Sequence, residues 1–136
     1  MCSIIRPYVL IIDDEERFAN MLAKRLSLRG YACEVAYDGE SGIEMLASRP
    51  FKVVVLDLRL PGLSGEDVLK CIKMKHPDLP VIILTGHGNQ KEQDVCMGLK
   101  AHAFFNKPVD LSSLVAIFET IIGSEPNKKT ESVIEP

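Results

Sequence analysis

The sequence has no tryptophan, few aromatic residues and no apolar run long enough to cross a membrane. Runs such as Val53–Leu56 fall far short of the ~20 residues that a membrane-spanning helix needs. The first residues, Met1–Arg6, lack the basic segment, apolar stretch and small-residue cleavage site of a secretory signal. We therefore predict a soluble, cytoplasmic protein without membrane insertion.

Cysteine spacing and charge argue against two further classes of function. The four cysteines, at positions 2, 33, 71 and 96, form no Cys-x-x-Cys pair, and no histidine is spaced to complete a zinc site. The formal net charge of −3 argues against direct nucleic-acid binding, which depends on neutralising phosphates. With 46% hydrophobic and 26% charged residues in a chain of 136, the composition is typical of one globular domain.

Short apolar runs alternate five times with helical patterns along the chain. The runs predict strands over Tyr8–Ile12, Tyr31–Ala36, Val53–Leu56, Val81–Leu84 and Ala103–Phe105. Ser64, with Asp67 three residues later, predicts a capping box at the start of the third helix. The fourth helical pattern is almost wholly polar over residues 87–94, so we expect that helix to be weakly anchored.

The composition of the five runs also predicts their order in a sheet. Runs one, three and four are apolar throughout, as expected of strands that are covered on both faces. The second run carries Glu34 in its middle, and the fifth is flanked by His102 and Asn106, so both suit sheet edges. With right-handed crossovers, these constraints predict a doubly wound, flavodoxin-like α/β fold of five parallel strands in the order 2-1-3-4-5, with helices on both faces.

Polar residues stand at the predicted carboxyl ends of four strands. Asp13 and Asp14 follow the first strand and Asp57 follows the third, while Thr85 follows the fourth and Lys107 comes just after the fifth. In a sheet of this order, ligands bind beyond these ends, between strands 1 and 3. We therefore expect three carboxylates, one hydroxyl and one ammonium group in a single shallow pocket.

Such a cluster suits a divalent cation and a phosphoryl group. Clustered carboxylates repel one another unless a cation is present, and Mg²⁺ in such sites commonly completes its shell with phosphate oxygens. Lys107 adds a positive charge and Thr85 a hydroxyl donor, a combination that fits phosphoryl transfer to Asp57 as nucleophile. An Asp after a strand is also commonly a helix cap or turn former, and Asp14 could be only that.

Four segments together resemble a bacterial response regulator receiver domain. They are Val9–Glu15, Val55–Gly65, Ile83–Gly86 and Phe104–Pro108, in the family's order and at its spacing. Because the likeness covers nearly the whole chain, we interpret residues 1–123 as a receiver domain. We interpret the polar residues 124–136 as a flexible tail or a truncated linker.

The resemblance implies a phosphoryl site with a Mg²⁺ cofactor. Asp57 would accept a phosphoryl group from a phosphohistidine on a sensor histidine kinase or phosphotransfer protein, and Lys107 would contact that group. Mg²⁺ would be held by Asp14, by Asp13 (often through water), by Asp57 and by the backbone carbonyl of Arg59. The domain would not be a conventional enzyme, although it would catalyse its own phosphoryl transfer and a slow self-dephosphorylation.

The resemblance also implies a switch. Thr85 would move toward the attached phosphoryl group, Phe104 would swing inward behind Thr85, and the Lys107–Pro108 peptide bond would be cis. The change would reach the surface formed by the fourth helix, fifth strand and fifth helix, which could also form a homodimer. The switch would control an output domain or protein.

Four positions differ from the family's common pattern or vary within it. Lys100 and Ala103 stand where the family often has Gly and Asp, which puts the turn before the fifth strand in question. Arg59 and His87, each two residues beyond a site residue, border the route of attacking water, and we predict that they slow hydrolysis of the acyl phosphate. The alternative, that both are solvated residues at the rim of the site, stays open.

Two other functions stay open. A receiver-like protein-interaction module would work without phosphorylation, although all five signature positions are present. A Mg²⁺-dependent aspartyl-phosphate hydrolase of the haloacid dehalogenase type would need an acid two residues after the nucleophile, where this chain has Arg59.

Overall fold

The chain folds into a five-stranded parallel sheet flanked by five helices. The structure is a computed structural model and describes residues 8–123. The elements follow one another as β1 (Tyr8–Ile12), α1 (Glu16–Ser27), β2 (Ala32–Ala36), α2 (Gly39–Ser48), β3 (Val53–Leu56), α3 (Gly65–Lys75), β4 (Val81–Thr85), α4 (Gln90–Gly98), β5 (Ala103–Asn106) and α5 (Leu111–Ile122). The predicted alternation is confirmed: β1 and β3 have the predicted bounds, and β2, β4 and β5 each differ from theirs by one residue at one end.

The strands lie in the order β2-β1-β3-β4-β5, all parallel, as predicted. The register pairs Ile12 of β1 with Leu56 of β3, so these two strands end side by side. On the other side of β3, Leu56 pairs with Ile83 of β4. The residues that directly follow β1 and β3 therefore emerge together at the carboxyl edge of the sheet.

Alternate residues of each central strand feed two separate core layers. On β1, Val9 and Ile11 pack in the layer that includes α1 and α5, whereas Leu10 and Ile12 pack in the layer of α2, α3 and α4. The strands β1, β3 and β4 are almost wholly buried, while β2 and β5 at the edges are mostly half-buried. Helices therefore cover both faces, which confirms the doubly wound arrangement.

The helix starts differ in part from the prediction. The Ser64 hydroxyl caps α3 by accepting a hydrogen bond from the amide of Asp67 at 3.2 Å, which is one half of the predicted capping box. A complete capping box lies instead at α4. There the Asn89 side chain accepts from the Glu92 amide at 2.8 Å, and the Glu92 carboxylate accepts from the Asn89 amide at 3.3 Å. The sequence pattern Asn-x-x-Glu could have predicted it.

The turn before β5 forms without the glycine that the family often has there. Lys100 adopts a left-handed conformation with φ of 76° and donates its amide to the carbonyl of Met97 at 3.0 Å. The next amide, of Ala101, reaches back to the carbonyl of Cys96 at 3.0 Å. These two bonds form a Schellman motif that ends α4, so the substitution of Lys for Gly leaves the turn in place.

Some predictions fall outside the described residues. The interpreted tail or linker, residues 124–136, lies there, and so does Cys2. Across residues 8–123, none of the helices combines the length and the apolar character that crossing a bilayer requires.

Candidate functional site at the carboxyl edge of the sheet

Three aspartates converge where β1 and β3 end. One carboxylate oxygen from each of Asp13, Asp14 and Asp57 lies within 4.8 Å of the others. Sheet hydrogen bonds continue into the site, because the Asp13 amide donates to Ala36 and the Asp57 amide donates to Ile12, each at 3.0 Å. Asp13 and Asp57 are buried, with 2% and 3% of their surface exposed, whereas Asp14 is exposed. The predicted convergence of the three carboxylates is present.

Lys107 brings a cation to the same place. Its Nζ atom lies 2.8 Å from Oδ2 of Asp13 and 3.6 Å from Oδ2 of Asp57. The Lys107 amide donates to the carbonyl of Thr85 at 2.8 Å, which fixes the loop after β5 against the end of β4. The Lys107–Pro108 peptide bond is cis. The ammonium group therefore sits between the two buried carboxylates.

Because Asp13 and Asp57 are buried, nearby cations are needed to offset their negative charges. Loss of hydration raises the pKa of Asp13, and nearby Asp57 adds to that rise, although hydrogen bonds from Lys107 and from the Glu15 amide oppose it. For Lys107, burial alone would lower the pKa, but its bonds to Asp13 and Glu15 outweigh burial and raise it. Lys107 therefore stays charged, and its ammonium group offsets the repulsion between the two buried carboxylates.

Two further residues of the site escaped the sequence analysis. Glu15 binds Lys107, with 2.5 Å between Oε1 and Nζ, and its amide donates to Oδ1 of Asp13 at 2.9 Å. The ring of Phe18 lies under the same ammonium group, 4.4 Å from ring centroid to Nζ. Glu15 continues the acidic run of Asp13 and Asp14, a signal that could have included it. The position of Phe18 depends on how α1 packs, which no sequence motif indicates.

Thr85 and Phe104 both lie against Gly88, in the loop that follows β4. Thr85 is fully buried, and Phe104 is half-buried on the adjacent strand β5. Gly88 lies against both, because a Cβ atom added there would come within 2.7 Å of Cζ of Phe104 and 2.9 Å of Cγ2 of Thr85. The Gly88 amide also donates to the side chain of Asn106 at 2.7 Å. The ring of Phe104 is thus packed against the loop that links β4 to α4.

The predicted rim residues differ in what they contact. The Arg59 amide donates to Oδ1 of Asp57 at 3.3 Å, but its guanidinium group turns away to Glu92, with N–O distances of 2.6 and 3.1 Å. His87 is exposed, with a left-handed φ of 54°, and its backbone carbonyl lies 3.5 Å from Nη2 of Arg59. His87 therefore contacts Arg59 through the backbone carbonyl of His87.

The donor set fits a hard divalent cation. All three side chains offer carboxylate oxygens, the donor type that Mg²⁺ prefers, and two of them are buried. A thiol or imidazole group, which would indicate zinc, is not part of this cluster among residues 8–123. Asp13, Asp14 and Asp57 could therefore hold such an ion.

A cavity of about 570 Å³ lies at the opposite, amino-terminal edge of the sheet. It is lined by Phe51 before β3, Pro80 before β4 and Ile122 at the end of α5, among others. None of the three aspartates borders it. The candidate site is therefore separate from this cavity and lies in the shallow crevice at the carboxyl edge of the sheet.

Comparison with known proteins identifies a family. The model of the response regulator receiver domain matches residues 9–119. The acid tolerance regulatory protein ActR of Rhizobium meliloti is 37% identical over 108 residues, which cover 79% of this chain and 56% of that protein. The chain thus spans about half the length of this curated relative, and of several others it matches.

Solved structures show the same architecture. The receiver domain of NtrX from Brucella abortus matches with a TM-score of 0.80 and 31% identity, over 86% of this chain and 99% of that one. A response regulator from Burkholderia pseudomallei, solved with a phosphorylated aspartic acid, a calcium ion and citrate, matches with a TM-score of 0.79 and 28% identity. That match covers 96% of this chain and 75% of the other.

Proposed function

The chain belongs to the response regulator receiver family, and on that premise we propose that Asp57 is the phosphoryl acceptor of a two-component signalling switch. The observation that carries the proposal is the position of Lys107, whose ammonium group lies between Asp13 and Asp57 at the carboxyl edge of the sheet. A solved relative with a phosphorylated aspartic acid and a calcium ion supports the same chemistry in this family.

The proposed reaction transfers a phosphoryl group to the Asp57 carboxylate. A carboxylate oxygen attacks the phosphorus of a phosphohistidine on a sensor histidine kinase or phosphotransfer protein. The P–N bond breaks, and its electron pair stays on the imidazole nitrogen. Lys107 stabilises the charge that develops on the phosphoryl oxygens. Water later attacks the phosphorus of the acyl phosphate, which releases inorganic phosphate and restores the carboxylate.

We assign the Mg²⁺ site to Asp13, Asp14 and Asp57, with the backbone carbonyl of Arg59 as a further ligand. When bound, Mg²⁺ would neutralise charge on the phosphoryl oxygens. The chain's own contribution is to hold the carboxylates together just after β1 and β3 and to bring Lys107 to them from the loop after β5.

Thr85 and Phe104 are the proposed relay from the site to the surface of α4, β5 and α5. A phosphoryl group on Asp57 offers new acceptor oxygens to the Thr85 hydroxyl. Because Phe104 packs against Gly88 next to Thr85, a shift of Thr85 changes the space open to the ring. We also propose that the surface of α4, β5 and α5 binds an output partner or a second copy of the chain. Unchanged hydrogen exchange over residues 87–105 after phosphorylation would contradict the relay.

Arg59 and His87 are proposed to slow hydrolysis of the acyl phosphate. Support comes from Arg59, whose amide contacts Asp57 and whose side chain reaches the His87 carbonyl, so that the two residues lie in contact beside the site. We expect faster dephosphorylation in Arg59→Ala than in wild type. Equal rates would assign both residues to a solvated rim.

The competing functions have less support. A haloacid-dehalogenase-type hydrolase would use an acid at the position of Arg59, and that side chain is a cation paired with Glu92. An interaction module without phosphorylation would not need Lys107 to lie between two buried aspartates. We also propose that the phosphoryl exchange takes place in the cytoplasm. The proposal further includes a sensor kinase as phosphoryl donor and an output partner.

Intact mass after incubation with acetyl phosphate tests the proposal. We expect wild type to gain one phosphoryl group with Mg²⁺ and none after chelation. Asp57→Asn should gain none, whereas the matched control Asp67→Asn, an exposed position in the first turn of α3, should behave like wild type. No gain in wild type under any condition would favour the phosphorylation-independent module.

A further inference from the structure

The guanidinium group of Arg59 forms a two-point ion pair with the carboxylate of Glu92. The two N–O distances are 2.6 Å, from Nη1 to Oε2, and 3.1 Å, from Nη2 to Oε1. Arg59 stands two residues after Asp57, and Glu92 lies in the first turn of α4. The pair therefore joins the loop beside the proposed phosphoryl acceptor to the helix at the start of the proposed signalling surface.

The same carboxylate also organises the start of α4. Glu92 accepts a hydrogen bond from the Asn89 amide while the Asn89 side chain caps the helix. Arg59 in turn reaches the backbone carbonyl of His87, whose backbone is left-handed. Arg59, in the loop between β3 and α3, thus contacts both ends of the segment from residue 87 to residue 92.

Few other contacts anchor α4. Within that helix Cys96 is the only buried residue, and Val95 and Met97 on either side of it are exposed. A helix with so little buried apolar surface moves at a small free-energy cost. The Arg59–Glu92 pair therefore contributes more to fixing the position of α4 than an ion pair on a well-packed helix would contribute.

Arg59 is also within electrostatic reach of Asp57. Glu92 raises the pKa of Arg59 most, and Asp57 contributes to the same rise. A phosphoryl group would carry about two negative charges where the Asp57 carboxylate carries one. The guanidinium group would then face two competing anions, Glu92 and the phosphoryl oxygens, and guanidinium binds phosphoryl groups by paired hydrogen bonds.

We propose that the Arg59–Glu92 pair is a latch that holds the β4–α4 loop and α4 in the unphosphorylated arrangement, and that a phosphoryl group on Asp57 opens it by drawing Arg59 away from Glu92. The inference rests on the proposed function and names a regulatory element of the same site. Breaking the latch favours the phosphorylated arrangement before any phosphoryl group binds. A partly exposed pair of this kind changes an equilibrium by about two- to fivefold.

The test compares Glu92→Gln with Asp94→Asn. Gln at position 92 removes the charge but can still accept the capping hydrogen bond from Asn89, so the helix start is preserved. Asp94→Asn removes the same charge from the same helix at a carboxylate that accepts a hydrogen bond from Gln90 at 2.8 Å. The probe is beryllium fluoride with Mg²⁺, a non-covalent mimic of the phosphoryl group, titrated by amide NMR.

We expect Glu92→Gln to bind the mimic about two- to fivefold more tightly than wild type. Without the mimic, hydrogen exchange over residues 87–92 should be about two- to fivefold faster in this variant. Asp94→Asn should match wild type in both measurements. Equal affinity in Glu92→Gln and wild type, or equal exchange, overturns the latch while leaving the proposed function in place. No binding of the mimic by wild type contradicts the proposed function and the latch together.

Discussion

The ammonium group of Lys107 lies 2.8 Å from the carboxylate of Asp13, and the two residues stand near opposite ends of the described chain. The contact spans the sheet edge from β1 to the loop after β5, across the ends of β3 and β4. Only 13% of the Lys107 side chain and 3% of the Asp13 side chain are exposed, so water screens the pair weakly. Loss of either charge is therefore costly.

Replacing Lys107 should destabilise the metal-free protein. Lys107→Gln leaves Asp13 and Asp57 buried without their ammonium partner, and breaking a buried pair in this way costs on the order of 3 kcal/mol. Urea denaturation in the presence of a chelator measures the loss, and added Mg²⁺ should recover part of it. The control Lys91→Gln, at an exposed position on α4, should stay within about 0.5 kcal/mol of wild type. A similar loss in both variants would contradict this prediction.

Mg²⁺ should stabilise the protein more at neutral than at mildly acidic pH. Burial raises the pKa of Asp13 above its usual value of 3.8, so the ionised form costs the metal-free fold stability at neutral pH. That cost disappears as the pH falls through the raised pKa, because the folded state then takes up a proton more readily than the unfolded chain. A cation removes the same cost at neutral pH but must displace the proton in acid.

Thermal unfolding with Mg²⁺ or chelator at the two pH values checks this dependence. At Mg²⁺ about 100 times its Kd, binding to the folded state alone stabilises by about 2.7 kcal/mol. The increase in Tm should shrink in acid and should be lost in Asp13→Asn with Asp57→Asn. An increase that is the same at both pH values would show that buried Asp13 is not part of the cation site.

Gly65→Ala should destabilise the fold next to Asp57. A Cβ atom at this position would come within 2.4 Å of Cα of Leu58 and 2.5 Å of the Asp57 carbonyl oxygen, and backbone atoms cannot rotate out of the way. We expect a loss of about 2–3 kcal/mol in urea denaturation. Gly98→Ala, at the end of α4, meets open space and should be neutral or stabilising by up to about 1 kcal/mol. A neutral Gly65→Ala would contradict the close approach of α3 to β3.

Lys100→Gly should stabilise the protein. Lys100 has a φ of 76°, a region that costs a residue with a side chain about 1–2 kcal/mol. Glycine adopts it freely but loses more backbone entropy on folding, so we expect a net gain of about 0.5–1 kcal/mol in chemical denaturation. Lys100→Gln removes the same charge and keeps the strain, so it should match wild type. A gain of equal size in Lys100→Gln would attribute the effect to charge.

Most of the fold was predictable because its signals are local. Continuous apolar runs predict β1, β3 and β4 as buried strands, and the single charge of Glu34 predicts β2 at an edge. The capping at α3 shows where such signals are incomplete. The Ser64 half is present, whereas the complete capping box lies at Asn89 and Glu92, in a polar segment where helical periodicity is weak.

The strand order and the five polar residues at the strand ends could be predicted from the sequence, because apolar pattern and spacing carry that information along the chain. Which atoms meet depends on how the helices and strands pack together. Glu15 and Phe18 reach Lys107 only because the start of α1 lies close to the loop after β5, and Arg59 turns to Glu92 because α4 starts opposite the β3–α3 loop. Such pairings depend on how separate helices lie on the sheet, a relation between distant segments that no local pattern encodes.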